Sequence, residues 1–266
     1  MKKILFSVLT VAVLVTGCHK NAVTGKRAFT LMPESELIGM SEQEYDKFLS
    51  AHPPLPASDS RTAMVKRCGA RIQKAVEKFH VQEKATDNIE GFAWEFNLVD
   101  EEPVNAWCMP GGKVVVYTGL LPVAQDETGL AVVMGHEIAH AIARHGNQRM
   151  SSGLAMQLGG AVLSVALAQK PELTQQLFAQ AYGITTGLGA LKYSRSHETE
   201  ADKMGLIFMA MAGYDPEAAV SFWDRMSQKS GGGAPPELLS THPSDETRIK
   251  NLKKFMPEAK KYYKPS

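Results

Sequence analysis

Along this chain the spacing of apolar side chains changes character several times, and each change predicts an element. Lys2 and Lys3 precede an apolar stretch from Ile4 to Val15, too short to cross a bilayer as a mature helix and shaped like a secretory leader. A short helical piece is predicted from Glu34 to Leu49, followed by a proline-rich break at Pro53, Pro54 and Pro56. Met64, Val65, Cys68, Ile72, Val76 and Phe79 then recur on one face of a second helix. From Phe92 to Val99 apolar and polar side chains alternate, and Val114 to Tyr117 is a short apolar run; the two predict strands of a small antiparallel sheet. Leu130, Val133, Met134, Ile138 and Ile142 return to helical spacing, which predicts a helix from Thr128 to His145, capped by Asp126 or Thr128 and stopped at Gly146. Residues 151–169 carry no charge but include Gly153, Gly159 and Gly160. They are too weakly apolar for a membrane span, and with 171–191 they predict a helical hairpin over the cleft. A further apolar helix opens around Glu198 and runs on through Met204, Leu206, Ile207, Met209 and Met211.

The chemistry sits in the middle of this pattern. Residues 136–140 read His136-Glu137-Ile138-Ala139-His140, and positions four apart share a helical face, so both imidazoles can reach one ion while Glu137 lies beside its open position. A zinc ion so held polarises water and Glu137 can take its proton, which points to hydrolysis of peptide bonds. A catalytic zinc takes three protein ligands. The arrangement HExxHxxGxxH is excluded, since it needs Gly at 143 and His at 146 where the chain has Ala143 and Gly146. Glu198 and Asp202 share one face of the later helix and offer a carboxylate ligand and, one turn on, an acceptor for the free ring N–H of a zinc-bound histidine. Glu200 is expected to be solvated, and His197, about 100° round the helix from Glu198, to be a surface histidine.

These motifs together resemble the HtpX-like and BepA-like zinc metallopeptidases, relatives of the type 1 CAAX prenyl protease. The resemblance rests on His-Glu-Ile-Ala-His, on Ser194-Arg195 with Glu198, Ala201 and Asp202, on the segment Asn105 to Gly112 with Val114 to Tyr117 and Gly119-Leu120-Leu121, and on Thr241-His242-Pro243 with Arg248 and Ile249. It runs over roughly residues 60 to 256 in the family's order. It implies one zinc per chain held by His136, His140 and Glu198, with Glu137 as general base and Asp202 behind the ligands. His242 stays open between a fourth ligand that holds the enzyme shut, an oxyanion stabiliser and a loop histidine capping the next helix. The segment Asn105, Ala106, Trp107 and Cys108 is expected to form an exposed sheet edge to which an extended polypeptide could add by main-chain hydrogen bonds. For Trp107 itself, core and cleft stand equal.

Val15-Thr16-Gly17-Cys18 resembles a bacterial lipobox, implying cleavage before Cys18, lipidation of that residue and firm anchoring through several acyl chains. His19 is not the aspartate that retains many lipoproteins in the inner membrane, which favours the periplasmic side of the outer membrane. Cys68 and Cys108 remain, free or paired in a disulfide that such a compartment permits. A formal net charge of +1 spread along the chain argues against nucleic acid or a strongly acidic substrate, and 44% hydrophobic residues fit one globular domain with a real core. The expected organisation is a leader over 1–17, a lipidated tether and arm over 18–60, and a metallopeptidase domain over 61–266. Residues 230–236, Ser-Gly-Gly-Gly-Ala-Pro-Pro, read as a loop. The fold class expected is α+β, mostly helical, a minigluzincin core with a small antiparallel sheet beside the His-Glu-Ile-Ala-His helix. The activity expected is a membrane-anchored zinc endopeptidase acting on misfolded or stalled envelope proteins. The competing expectation is a zinc-containing lipoprotein chaperone or assembly factor in which proteolysis is absent or held off by His242.

Overall fold

A computed structural model of the chain describes residues 18–158, 171–182, 193–229, 237–242 and 246–265. The expected leader over 1–17, the turn of the expected hairpin, the expected loop over 230–236 and Pro243 lie outside them. A hairpin of β1 (Cys18–Lys20) and β2 (Arg27–Phe29) opens the described chain, with Cys18 opposite Phe29. It leads into helices α1 (Glu34–Ala51) and α2 (Ser60–Gln82), then strands β3 (Glu95–Val99), β4 (Ala106–Met109) and β5 (Lys113–Tyr117). After a short turn α3 (Leu121–Ala124) come α4 (Glu127–Ile142), α5 (His145–Leu158), α6 (Pro171–Tyr182), α7 (Arg195–Met211), α8 (Ala218–Gln228), α9 (Glu237–Thr241) and α10 (Glu246–Lys260).

The sheet is small, as expected, but mixed and not purely antiparallel. Its order is β3-β5-β4, with β4 antiparallel to β5 and β3 parallel to β5. Gly111 and Gly112, at φ of 84° and 81°, make the tight β4–β5 turn that a side-chain-bearing residue would strain. The chain turns back between β3 and β4 but skips one strand position, which β5 then fills parallel to β3. Side-chain alternation has a period of two in either pairing, so it could not tell the two apart. Val114, Val115 and Val116 of the central strand are all fully buried, because both faces of the sheet are covered. Val114 and Val116 face the main core with α2 and α4, whereas Val115 meets Tyr45, Phe48 and Leu49 of α1. Trp107 joins that second layer, edge-on to Tyr45 and Phe48 at centroid distances of 6.2 and 5.1 Å, and therefore belongs neither to the main core nor to the cleft.

The main core surrounds α4, whose residues from Gly129 to Ile142 are all buried. A helix without a polar face has to be enclosed, and α2, β4, α7 and α8 enclose this one. Asp126 caps it, accepting from the Gly129 N–H at 2.8 Å. Its end is set differently from expectation. The helix stops at Ile142 and Arg144 takes the left-handed conformation at φ 56°, while Gly146 lies inside α5. A Cβ on Gly146 would come within 2.2 Å of the Tyr182 ring, so that glycine serves helix packing rather than helix termination.

Residues 18–60 are docked, not trailing. The Leu31 N–H donates to the Ser151 hydroxyl, the Asn147 amide donates to the Met32 carbonyl, and Met32 and Leu37 join Met150, Leu154, Leu177 and Phe178 in one cluster. The described halves of the expected helical hairpin, α5 and α6, pack together through that cluster. Among the described residues no helix is long and apolar enough to cross a membrane.

Candidate metal centre

Two helices bring the site together. α4 carries His136, Glu137 and His140, and α7 carries Glu198 and Asp202. They cross where Gly135 meets Gly205, so closely that a Cβ on Gly205 would lie 3.0 Å from the Gly135 carbonyl carbon and from the His136 nitrogen. Ser194 starts α7 by accepting from the His197 N–H at 3.1 Å, and that start sets Glu198 in the first turn. His242 enters from the residue after α9, its own N–H donating to the Leu238 carbonyl at 2.9 Å.

His136, His140, Glu198 and His242 each offer one ligand atom, these atoms all lie within 4.8 Å of one another, and all four residues are buried. His136 Nε2 is 3.0 Å from His140 Nε2 and 3.2 Å from His242 Nδ1. Glu198 Oε1 is 3.0 Å from His242 Nδ1 and 3.4 Å from His140 Nε2, and Glu198 Oε2 is 3.5 Å from His136 Nε2. Zinc–nitrogen bonds of about 2.0–2.1 Å in a tetrahedron require ligand atoms roughly 3.3 Å apart. The observed spacings bracket that edge length.

The protons agree with a cation. His136 Nδ1 lies 3.0 Å from Asp202 Oδ1, so its ring proton belongs there and its Nε2 lone pair faces the cluster. Burial and Arg248 push the His136 pKa down, yet hydrogen bonds to Asp202 and Glu198 outweigh them and lift it to about 9: the carboxylates draw positive charge to this spot. Burial would raise Glu198, but His242, His136 and His140 hold it well below the usual carboxylate range. Burial also holds His140 well below the ordinary histidine value, in its neutral, ligating form. Nitrogen and carboxylate donors in a closed, four-membered set suit zinc, and the residues present fit that ion.

Glu137 is 3% exposed, and its Oε1 has no hydrogen-bond partner; the nearest imidazole nitrogen, His242 Nε2, is 3.7 Å away. Burial raises its pKa. A buried carboxylate oxygen left unbonded is expensive and suits a base awaiting a water or substrate proton.

Several residues around this cluster escaped the sequence reasoning. Arg248 is buried, its Nε and Nη2 donating to Asp202 at 2.9 and 2.7 Å, its Nη1 3.1 Å from Glu198 and its guanidinium stacked 3.4 Å over Trp223. Burial would raise Asp202, but Arg248 and His136 keep it ionised. The signal for Arg248 was present, because it falls on the same face of α10 as the buried Leu252, Met256 and Ala259. Tyr193 places its ring 3.9 Å from that of His140 and 4.7 Å from that of His242, with Arg149 stacked 3.4 Å over it. Glu200, expected in solvent, is 5% exposed and bonded to His145 and Thr24. His197, expected at the surface, is half-buried and stacks on His145 at 4.3 Å. The N-terminal arm covers Glu200 through Thr24 and Lys26, and His145 and Tyr193 cover His197.

The segment expected as an exposed edge lies at a sheet edge but is not exposed. β4 pairs only with β5, and no strand lies on its other side among the described residues. Ala106 and Cys108 are buried and Trp107 is half-buried, while Asn105 accepts from the Ala106 N–H at 2.9 Å. Cys108 lies near enough to Glu137 to feel its charge. Cys68 and Cys108 are both free and buried; burial pushes the Cys68 thiol up to about 12 and Cys108 well above its usual value.

Two histidines one turn apart on one helix, a carboxylate from a second helix and an unpaired glutamate between them define a metallopeptidase centre of the HExxH kind. The chain belongs to peptidase family M48, whose model matches residues 66–256. It is 40% identical over 183 residues to the mitochondrial metalloendopeptidase OMA1 of Arabidopsis thaliana, covering 68% of this chain and 35% of that one. The human metalloendopeptidase OMA1 is 30% identical over 264 residues, 96% of this chain and 49% of its own. The β-barrel assembly-enhancing protease of Escherichia coli is 32% identical over 164 residues, 59% of this chain and 33% of its own. The chain thus spans between about a third and a half of the length of these relatives.

Proposed function

We propose that the chain is a zinc metalloendopeptidase, and the observation that carries this is the His136, His140, Glu198 and His242 set with the unbonded Glu137 Oε1 beside it. A zinc ion there supplies the Lewis acid that polarises water and the scissile carbonyl. Glu137 takes the proton of the attacking water and passes it to the leaving amine; its raised pKa makes it the better proton donor in the second of these steps. Asp202, clamped by Arg248, fixes the His136 tautomer. β4 receives the substrate backbone as an added strand, with Asn105, Ala106, Trp107 and Cys108 along the edge.

His242 acts as the resting fourth ligand in this reading, since its Nδ1 is as close to Glu198 and His136 as His140 is. As a fourth ligand, His242 would take the position that the attacking water needs and would keep the centre closed. That supports the second reading, a zinc lipoprotein with proteolysis held off until a partner engages. We place the protein in the bacterial envelope, lipid-anchored through Cys18, on the strength of the leader and the Val15-Thr16-Gly17-Cys18 pattern. Envelope proteins that are misfolded or stalled are the clients proposed, in line with the β-barrel assembly for which the E. coli relative is named.

The test compares wild type, Glu137→Gln and His242→Ala on an unfolded polypeptide, following new amino termini alongside zinc content. Cleavage by wild type or His242→Ala, absent in zinc-loaded Glu137→Gln, supports the enzyme. If neither wild type nor zinc-loaded His242→Ala cleaves, the binding protein is favoured, whereas wild-type cleavage lost in zinc-loaded His242→Ala gives His242 a catalytic role.

A further inference from the structure

The cluster has a second support besides Asp202 and Arg248, and it runs outward through His140. His140 Nδ1, on the far side of the ring from the cluster, lies 2.9 Å from His145 Nδ1. His145 is fully buried, and its Nε2 lies 3.4 Å from Glu200 Oε2. Glu200 is itself buried, with Lys26, Thr24 and His145 as its polar partners. The protons can be placed in only one consistent way if His140 Nε2 holds a metal. Its Nδ1 then carries the ring proton and donates to His145 Nδ1, and the single proton of neutral His145 sits on Nε2 and points to Glu200.

Glu200 is held in turn by the N-terminal arm. The Thr24 hydroxyl donates to its Oε1, and Lys26 Nζ is 3.2 Å from its Oε2. The turn that presents these two side chains is built by Asn21, whose side-chain oxygen accepts from the Val23 and Thr24 N–H groups at 2.9 and 3.2 Å, with Gly25 in the left-handed conformation at φ 68°. The Asn21 amide docks on Met204 Sδ at 2.9 Å, and Lys26 also donates to the Ser196 carbonyl and hydroxyl at 3.2 and 3.0 Å. An arm whose only task was to hang on to the domain would have no need to meet a carboxylate two bonds removed from a metal ligand.

We infer that His145 and Glu200 are positioning residues for the metal centre, and that the Asn21–Lys26 turn completes it by fixing Glu200, so that docking of the arm governs how tightly zinc is held. The inference rests on the zinc reading of the cluster. Its chemistry mirrors the His136, Asp202 and Arg248 arrangement, with a histidine interposed because Glu200 is too far from His140 to reach it directly. Such outer partners are worth about 10–100-fold in metal affinity.

The experiment uses the full chain loaded with one zinc and measures first-order zinc release into excess chelating dye, with the d–d spectrum of the cobalt(II) form and the melting temperature of the metal-free protein alongside. Glu200→Met keeps the volume and loses the acceptor, whereas Glu200→Gln keeps both. Release at least tenfold faster in Glu200→Met, near wild type in Glu200→Gln, with an altered cobalt spectrum only in the former, is the expected result. Thr24→Val with Lys26→Met, which touches no residue of the cluster, should speed release several-fold. If Glu200→Met and Glu200→Gln release zinc alike, or the arm variant releases it within twofold of wild type, the inference falls. A wild-type protein that binds no zinc would instead overturn the metal reading itself, and the stoichiometry measured first separates the two failures.

Discussion

Replacing Gly205 with alanine tests whether the closeness of two helices sets the geometry of the metal centre. A Cβ at this position would sit 3.0 Å from the carbonyl carbon of Gly135 and from the nitrogen of His136. Carbon contacts are comfortable from about 3.5 Å outward, so α4 and α7 have to part by roughly half an ångström. Both opposing atoms are backbone, and no side chain can rotate away. The crowding costs about 1–3 kcal/mol, offset by about 1 kcal/mol from the better helix propensity of alanine. The variant therefore folds, with stability lowered by about 0–2 kcal/mol. The displacement falls on the spacing between Glu198 on one helix and His136 and His140 on the other. A misplacement of 1 Å costs on the order of 100-fold in turnover, so half of that should cost about tenfold. Turnover of an unfolded polypeptide and zinc release into a chelator are the two assays, each paired with thermal melting. Gly39→Ala is the control, because nothing lies within 4 Å of a Cβ there; it should be neutral or slightly stabilising. A Gly205→Ala protein with wild-type turnover and zinc retention would refute the argument that this crossing positions the ligands.

Other perturbations follow from the same geometry. Arg248→Met leaves Asp202 buried without its cation, and breaking such a pair costs about 3–5 kcal/mol; chemical denaturation of the metal-free protein should show it, and a loss below 1 kcal/mol would contradict the role assigned. Asp202→Asn combined with Arg248→Met should cost less than the sum of the two single changes. His80 is fully buried, its Nδ1 donating to the Val76 carbonyl at 2.8 Å and its Nε2 unbonded, and burial lowers its pKa. The unfolded chain therefore takes up this proton first as pH falls below about 6.5, and folded stability declines with falling pH at up to about 1.4 kcal/mol per unit until the folded value is reached. Urea midpoints from pH 7 to 5 should fall less steeply in His80→Asn than in wild type, and equal slopes would show that His80 does not titrate on unfolding.

The legible part of this protein was local. A four-residue spacing puts His136 and His140 on one face whatever surrounds the helix, and Glu198 with Asp202 repeats that rule, so these could be read as candidates before any fold was known, whereas His242 came only with the resemblance and its place in the cluster only with the structure. The apolar stripes of α2, α4 and α7 were legible for the same reason. What the spacing could not carry was anything that depends on which segments meet. The parallel pairing of β3 with β5 leaves the same alternation as an antiparallel one. α4 ends at Ile142, and Gly146, which read as its stop, is a glycine because Tyr182 packs where its side chain would stand. Glu200 read as solvated because nothing in α7 says that a turn far earlier in the chain lies across it, His197 because nothing there says that His145 stacks on it, and Arg248 was quoted as part of a motif without a role because Asp202 and Trp223 come to it from other helices. Sequence determined which groups could ligate a metal, since period and residue type are properties of a single segment; the tertiary structure decided which of them face each other and what stands behind them, because those contacts exist only once distant segments are packed.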